Sequence, residues 1–314
     1  MKIAQIGSGR WGKVVLRNLI EFPVIEKIYV FDSIKTNIPA NQSNKISVCA
    51  SFEEILLNKE IEAVFITTPA ATHFELAAAC MKSGKDVFVE KPLTCDSTQV
   101  SALEEIVRQS SQVIMTDHTL LFDTHIQTIR KILLSEKIQP VFFDFIRSNI
   151  TGNSDMNVIW DLAPHDIALM LYLADTPVKS VYCSSNATQD TSFFILTFTN
   201  GMIAKIQLSW RYPFKRRELL LGHKQGSIFF SELDRVFTLK RYDVNNMPAS
   251  IDPYIENMSN DNPLQNSIAF FLSKVGSKDM EFSLQQTSFA KYAIRIIESL
   301  HISLQTNKVV NIQT

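Results

Sequence analysis

The 314-residue sequence predicts an α/β protein in two parts: a doubly wound parallel sheet over residues 1–120, then an α+β domain over residues 121–314 with an open, mainly antiparallel sheet. Three observations carry this reading. Short apolar runs alternate with helical patterns as far as about residue 120. Beyond it, strand-like runs follow one another through tight turns. And three of the chain's nine glycines, Gly7, Gly9 and Gly12, fall within six positions, between an apolar run and a helical one.

Taken in order, Lys2–Ile6 reads as a buried strand and the segment after the glycines as a helix to about Ile20. Lys27–Phe31 is a second strand, ending at Asp32. Ser51 with Glu54 three residues on forms a capping box that opens a short helix. Glu62–Ile66 is a strand, and Thr72–Ser83 a helix stopped by Gly84. Asp86–Val89 is a strand running into Glu90-Lys91-Pro92, followed by a helix over Asp96–Gln109 and a strand over Gln112–Met115. Such alternation implies parallel strands with right-handed crossovers.

In the second part a helix at Asp123–Leu134 leads into an apolar run, Pro140–Ile150, and then a helix at Asp161–Leu173. Six strands are predicted next: Val178–Ser185, Ser192–Phe198, Met202–Trp210, Leu219–Leu221, Ser227–Phe230 and Val236–Arg241. Asn200-Gly201 between two of them predicts a type I′ hairpin. Helices around Pro263–Val275 and Ser283–Leu304 close the chain.

The composition excludes several functions. With 31 basic and 32 acidic residues the chain lacks the electrostatic footprint of a nucleic-acid binder. No stretch approaches the roughly 18 unbroken apolar residues of a membrane span, and the N-terminus lacks the pattern of a signal peptide. The cysteines, Cys49, Cys80, Cys95 and Cys183, are far apart, which argues against a metal ribbon, a disulfide scaffold or a redox pair. The expectation is a cytoplasmic, reduced, soluble protein without a metal site.

Three motifs carry chemistry. In Gly7-Ser8-Gly9-Arg10-Trp11-Gly12 the glycines allow a tight turn, close approach of a pyrophosphate and packing of helix on strand. The helix that follows offers unpaired N–H groups to phosphate. Asp32, 20 residues past Gly12, is placed to accept from both ribose hydroxyls and to repel a 2′-phosphate, which favours NAD over NADP. The second motif is Glu90-Lys91-Pro92 at a strand end, where open α/β sheets bind ligands; proline keeps Lys91 extended, and its ammonium is suited to a substrate oxygen. The third is Asp161-Leu162-Ala163-Pro164-His165. Pro164 places the helix start near Asp161, and Asp161 and His165 share a face at i, i+4. A neutral His165 close to that helix start can take a proton while Asp161 orients it.

Together these motifs, with Thr67-Thr68-Pro69 and His73, resemble the Gfo/Idh/MocA family of nicotinamide-dependent oxidoreductases. The resemblance implies a Rossmann domain followed by an α+β domain whose open sheet builds homodimers or homotetramers. It implies Lys91, Asp161 and His165 as the catalytic group, and Thr68, Pro69, His73 and Glu90 lining the cofactor cleft. Finer features resemble a sugar or sugar-nucleotide dehydrogenase branch: Asp117-His118-Thr119-Leu120-Leu121, Asn157 to Trp160, and Ser209-Trp210 followed by Pro213, Lys215 and Arg217. Asp117 departs from the branch, which often has glycine there. His118, Arg147, Trp160, Lys215 and Arg217 are candidate substrate residues, and the cluster Arg211, Lys215, Arg216 and Arg217 suits a substrate pyrophosphate or carboxylate. Selectivity is expected from residues 147–157 and 210–217. The expected activity is hydride transfer between a secondary hydroxyl or ketone of a sugar-like substrate and NAD. A non-catalytic NAD-binding sensor and cofactor-assisted C–O bond cleavage are the alternatives.

Overall fold

The computed structural model describes residues 1–39, 43–149, 157–242, 248–252 and 262–312. The chain forms two compact units, one of Met1–Thr119 with Asn262–Ile294, the other of Leu120–Asp261 with Arg295–Thr314.

The first unit holds six parallel strands: β1 (Lys2–Ile6), β2 (Lys27–Phe31), β3 (Ile46–Val48), β4 (Ala63–Ile66), β5 (Asp86–Glu90) and β6 (Ile114–Asp117). They lie in the order β3-β2-β1-β4-β5-β6. The order reverses between β1 and β4, so the strands' C-terminal ends there open a crevice in which this architecture binds ligands. Four crossover helices follow from local signals: α1 (Arg10–Glu21), α2 (Phe52–Leu57), α3 (His73–Lys82) and α4 (Ser97–Ser110). Ser51 Oγ accepts from Glu54 N–H at 3.3 Å, and the Glu54 carboxylate reaches back to Ala50 N–H at 2.9 Å. Asp96 caps α4 through Thr98 N–H. Gly84, with φ of +80°, takes the left-handed position just past α3.

A single cut at residue 120 does not describe these units. Helix α7 (Pro263–Lys274), though late in the chain, belongs to the first. Phe271 of α7 packs between Phe65 of β4 and Phe88 of β5, with ring centroids 5.4 Å from each. All three rings are fully buried. Helix α8 (Met280–Thr306) starts in the first unit and ends in the second.

Among the described residues the second unit holds helices α5 (Thr124–Ser135) and α6 (Val158–Ala174) and nine strands. These are β7 (Pro140–Ser148), β8 (Val178–Ser185), β9 (Thr191–Phe198), β10 (Ile203–Ser209), β11 (Arg216–His223), β12 (Gly226–Ser231), β13 (Val236–Tyr242), β14 (Pro248–Asp252) and β15 (Val310–Asn311). Their order is β14-β13-β12-β11-β7-β10-β9-β8-β15. Among the described residues only β7 and β10 pair in parallel. Alternation sets the two faces: Phe194, Leu196, Ala204, Ile206, Phe143 and Phe145 are buried, while Phe193, Ile195, Ile203 and Phe142 are exposed. Helix α6 packs on β7, β9 and β10.

Two local predictions are corrected. The hairpin at Asn200-Gly201 is not type I′, because Gly201 takes φ of +87° while Asn200 does not adopt positive φ. Gly201 N–H donates to Phe198 O and Phe198 N–H to Met202 O, which closes a three-residue loop with glycine in the left-handed position. Helix α6 begins at Val158, with Asn157 Oδ1 accepting from Trp160 N–H, rather than near Asp161. Pro164 is therefore its seventh residue and sits inside the helix. Twelve buried residues and packing on β7, β9 and β10 offset the roughly 3 kcal/mol that an interior proline costs, which a single cap could not. Ile150, the end of a predicted apolar run, lies outside the described residues, as do positions 150–156 of the expected selectivity segment.

Candidate functional site

The cofactor half of the site is built on β1, α1, β2, β4 and β5. Gly7 adopts φ of +93°, and a Cβ there would lie 2.8 Å from the Thr67 carbonyl group. A Cβ on Gly12 would lie 2.4 Å from Gly7 O, so α1 seats directly on the loop. The brace beneath it is Gln5, whose Nε2 donates to Gly7 O and Gly12 O, both at 2.8 Å. Thr67 Oγ1 adds a donor to Gly7 O at 2.7 Å. Gln5 was missed in the sequence; a polar residue midway along a buried parallel strand was the available signal.

The loop's open side fits a dinucleotide pyrophosphate. Nothing lies within 4 Å of a Cβ on Gly9, and the Ser8 hydroxyl is buried without a hydrogen-bond partner. Gly9 caps α1 with no side-chain bond, and no acidic residue occupies the helix's first turn. Four N–H groups at a helix start with neither cap nor carboxylate suit an anion. Arg10 and Trp11 are exposed at this end.

Asp32 stands at the end of β2 with its carboxylate largely engaged. Oδ2 accepts from Ser8 N–H at 2.6 Å, and Oδ1 from Ile34 N–H at 2.8 Å and Asn37 Nδ2 at 3.2 Å. It therefore shapes the loop from the end of β2.

Beyond β4, Thr68 Oγ1 and Thr72 Oγ1 are 2.7 Å apart and Pro69 is exposed. His73 is buried, with Nδ1 2.8 Å from Pro92 O and Nε2 2.9 Å from Thr68 O. Desolvation lowers its pKa, against the pull of the two carbonyls. Its ring ties the loop after β4 to the one after β5, so it acts as a brace.

Glu90 ends β5 as a buried carboxyl. It accepts from the Trp11 indole N–H and, at 3.1 Å, from Lys91 N–H. Across the parallel register stands Asp117 of β6. Burial and the Asp117 charge push the Glu90 pKa well up, partly offset by Lys91. His118 follows, buried against Phe289, with both ring nitrogens unpartnered. Burial, helped by the Lys91 charge, depresses its pKa to about 4, so its ring is neutral.

The second unit places Asp161 and His165 half-buried on α6. Trp210 Nε1 donates to Asp161 Oδ2 at 3.0 Å, a contact that sequence spacing did not foretell. His165 is the eighth residue of α6, too far along to feel the field of the helix N-terminus. Trp160 is half-buried and stacks on His301 at 5.8 Å.

The basic candidates fare differently from expectation. Arg147 is buried, donating through Nε to Asp166 Oδ1 at 2.8 Å and through Nη1 to Glu232 Oε2 at 3.2 Å. Arg217 shares Glu232. Arg211 pairs with Asp190 at 2.6 Å, and Arg216 with Glu218. Three arginines of the expected anion cluster thus carry their own carboxylates, leaving Lys215 exposed. The Arg147–Asp166 pair links β7 to α6. Among the described residues there is no group of three or more metal-ligating side chains, and no helix is long and apolar enough to cross a membrane.

A glycine loop open to pyrophosphate, an acid at the end of β2 and a lysine at the end of β5 define a nicotinamide-dinucleotide oxidoreductase. Residues 1–118 match the oxidoreductase family with NAD-binding Rossmann fold, and residues 147–229 match the GFO/IDH/MocA C-terminal domain. The chain belongs to the GFO/IDH/MocA oxidoreductase family. It is 24% identical to a myo-inositol 2-dehydrogenase of Thermotoga maritima over 259 residues, covering 73% of this chain and 75% of that one. It is 28% identical to the UDP-N-acetylglucosamine 3-dehydrogenase of Acidithiobacillus ferrooxidans over 196 residues, 58% of this chain and 60% of that one. A crystal form of that enzyme superposes with a TM-score of 0.83 at 19% identity, covering 98% of each chain. GenD2 from gentamicin A biosynthesis, solved in complex with NAD, superposes with a TM-score of 0.83 at 15% identity, over 100% of this chain and 97% of that one.

Proposed function

We propose that this protein is an NAD-dependent dehydrogenase that interconverts a secondary hydroxyl and a ketone on a sugar, sugar nucleotide or related polyol. The observation that carries the cofactor assignment is the uncapped start of α1 beside the unpartnered Ser8 hydroxyl, with Asp32 bonded to Ser8 N–H. Asp32 favours NAD because a 2′-phosphate would meet its carboxylate. The sugar-like substrate class is supported by the relatives, named for an inositol and a nucleotide sugar.

When bound, the nicotinamide ring accepts hydride from the substrate carbon or returns it. The chain's own residues manage the oxygen and its proton. The Lys91 ammonium hydrogen-bonds the substrate oxygen and stabilises alkoxide character. His165 takes the hydroxyl proton. Asp161, held by Trp210, is the positioning residue for His165. Among the substrate candidates exposed Lys215 keeps its capacity for a ligand, whereas the ring nitrogens of His118 are buried. Trp160 offers an aromatic face, whereas Arg147 and Arg217 are committed to carboxylates.

A second copy of the chain is the proposed partner, seated on the exposed face of the nine-stranded sheet. Phe193, Ile195, Ile203, Phe142 and Phe229 form an exposed apolar set there, and the Phe142 ring lies over Gly222, where a Cβ would meet it at 2.0 Å.

The test is titration of the purified protein with NADH and NADPH by tryptophan fluorescence, followed by turnover on sugars, polyols and nucleotide sugars. Tight NADH binding and NAD-linked turnover are expected. His165→Ala should lower kcat by about 10²–10⁴-fold while NADH still binds. Turnover near wild type in both His165→Ala and Lys91→Ala would overturn the mechanism.

A further inference from the structure

The residue that departs from the branch pattern, Asp117, lies beside Glu90 at the ends of the adjacent parallel strands β6 and β5, β6 being an edge of the sheet. Asp117 is fully buried and Glu90 is 8% exposed. Each carboxyl already has donors elsewhere. Glu90 accepts from Trp11 of α1 and from Lys91 N–H, and Asp117 Oδ1 accepts from Ser267 Oγ of α7 at 2.8 Å. Asp117 Oδ2 is buried with no hydrogen-bond partner among the described residues. Two ionised carboxylates are acceptors only, so in this arrangement acceptor faces acceptor, with two like charges out of water. A single proton between them removes both costs.

From this geometry we infer that Glu90 and Asp117 form a carboxyl pair sharing one proton and one negative charge, and that the pair positions and balances the Lys91 ammonium. The inference rests on the proposed catalytic role of Lys91. Each carboxyl has its pKa raised first by burial, and the positive charge of Lys91 pulls both back down. The remaining groups around them are His118, held neutral by burial, Thr119 and Ser267, and Trp11; His73 on α3 also feels Lys91. With one proton on the pair, its single charge matches that of Lys91. With none, two carboxylates compete with the substrate oxygen for the ammonium.

The proton can be read directly. Difference infrared spectra with isotope-labelled carboxyls should show a protonated carboxylic acid at pH 7 in wild type that is lost in both Asp117→Asn and Glu90→Gln. Absence of that band in wild type, or its persistence in Asp117→Asn, overturns the pair. Stability gives a second reading. A carboxyl whose folded pKa is raised contributes stability that is fully present below about pH 4 and is lost as pH rises through the folded value. The Tm difference between Asp117→Asn and wild type should therefore move in the variant's favour as pH rises from about 5 to 9; a constant difference overturns the pair. For the positioning role, the kcat–pH profile of wild type should carry an alkaline loss that Asp117→Asn lacks, and identical profiles overturn it. The infrared and Tm measurements need no turnover. A failed Lys91→Ala test would thus sink the catalytic reading while leaving the proton on the pair measurable.

Discussion

Trp210 donates its indole N–H to the carboxylate of Asp161 at 3.0 Å, fixing an acid on α6 from the end of β10. The two residues are 49 positions apart, so the contact exists only because β10 lies under α6. A carboxylate intended to orient an imidazole must itself be held, and this bond removes one of its rotational freedoms.

Trp210→Phe keeps the ring and deletes the donor. A hydrogen bond to a charged group is worth about 1.5–3 kcal/mol, so if Asp161 positions His165 for proton transfer kcat should fall by roughly 10-fold or more. NADH affinity should not move, because the glycine loop is untouched. Steady-state kinetics beside a fluorescence titration would separate the two, and an unchanged kcat would remove Asp161 from the mechanism.

Asp32→Ser tests two roles at once. The carboxylate is proposed to repel a 2′-phosphate, and it accepts Ser8 and Ile34 N–H groups. The variant should bind NADH more weakly, discriminate less against NADPH and lose on the order of 1–3 kcal/mol of stability. Paired NADH and NADPH titrations with denaturant unfolding would show it. Retained preference for NADH would place the discrimination elsewhere.

The buried Arg147 network predicts a large stability effect. Arg147→Met leaves Asp166 without its cation, and breaking a buried pair typically costs about 3–5 kcal/mol. Arg211→Met removes an exposed guanidinium from Asp190, whose carboxylate keeps the Asn186 and Thr188 donors, and should cost no more than about 1 kcal/mol. Urea unfolding of the two variants side by side gives the comparison. Equal small losses would show that the Arg147–Asp166 pair does not fasten α6 to β7.

The exposed sheet face predicts association. Phe193→Lys with Ile195→Lys places two charges in the middle of the apolar set on β9. Light scattering after size exclusion should show wild type as a dimer or tetramer and the variant shifted to lower mass. A monomeric wild type would dismiss the interface.

Much of the cofactor half was legible in the chain itself, because its signals are local. The strand, the three glycines, the helix start and Asp32 lie within 32 residues, and each constrains backbone or charge without help from distant segments. The cap at Ser51 is local in the same sense. Where local rules met tertiary packing the local rule lost: Pro164 suggested a helix start near Asp161, but α6 begins at Val158 and its burial against β7, β9 and β10 holds the proline inside the helix.

Charge neutralisation was decided elsewhere. Whether Arg147 meets a substrate or a carboxylate depends on Asp166 and Glu232, which are 19 and 85 residues away and reach it through packing of α6 and pairing of β7 with β11 and of β11 with β12. Likewise Glu90 and Asp117 become neighbours through a parallel register that brings two strand ends level. Motif spacing named the residue types and the chemistry they suit. Strand register and helix packing, set by hydrogen bonds and burial between segments distant in sequence, chose which charges are satisfied inside the fold and which remain for a ligand.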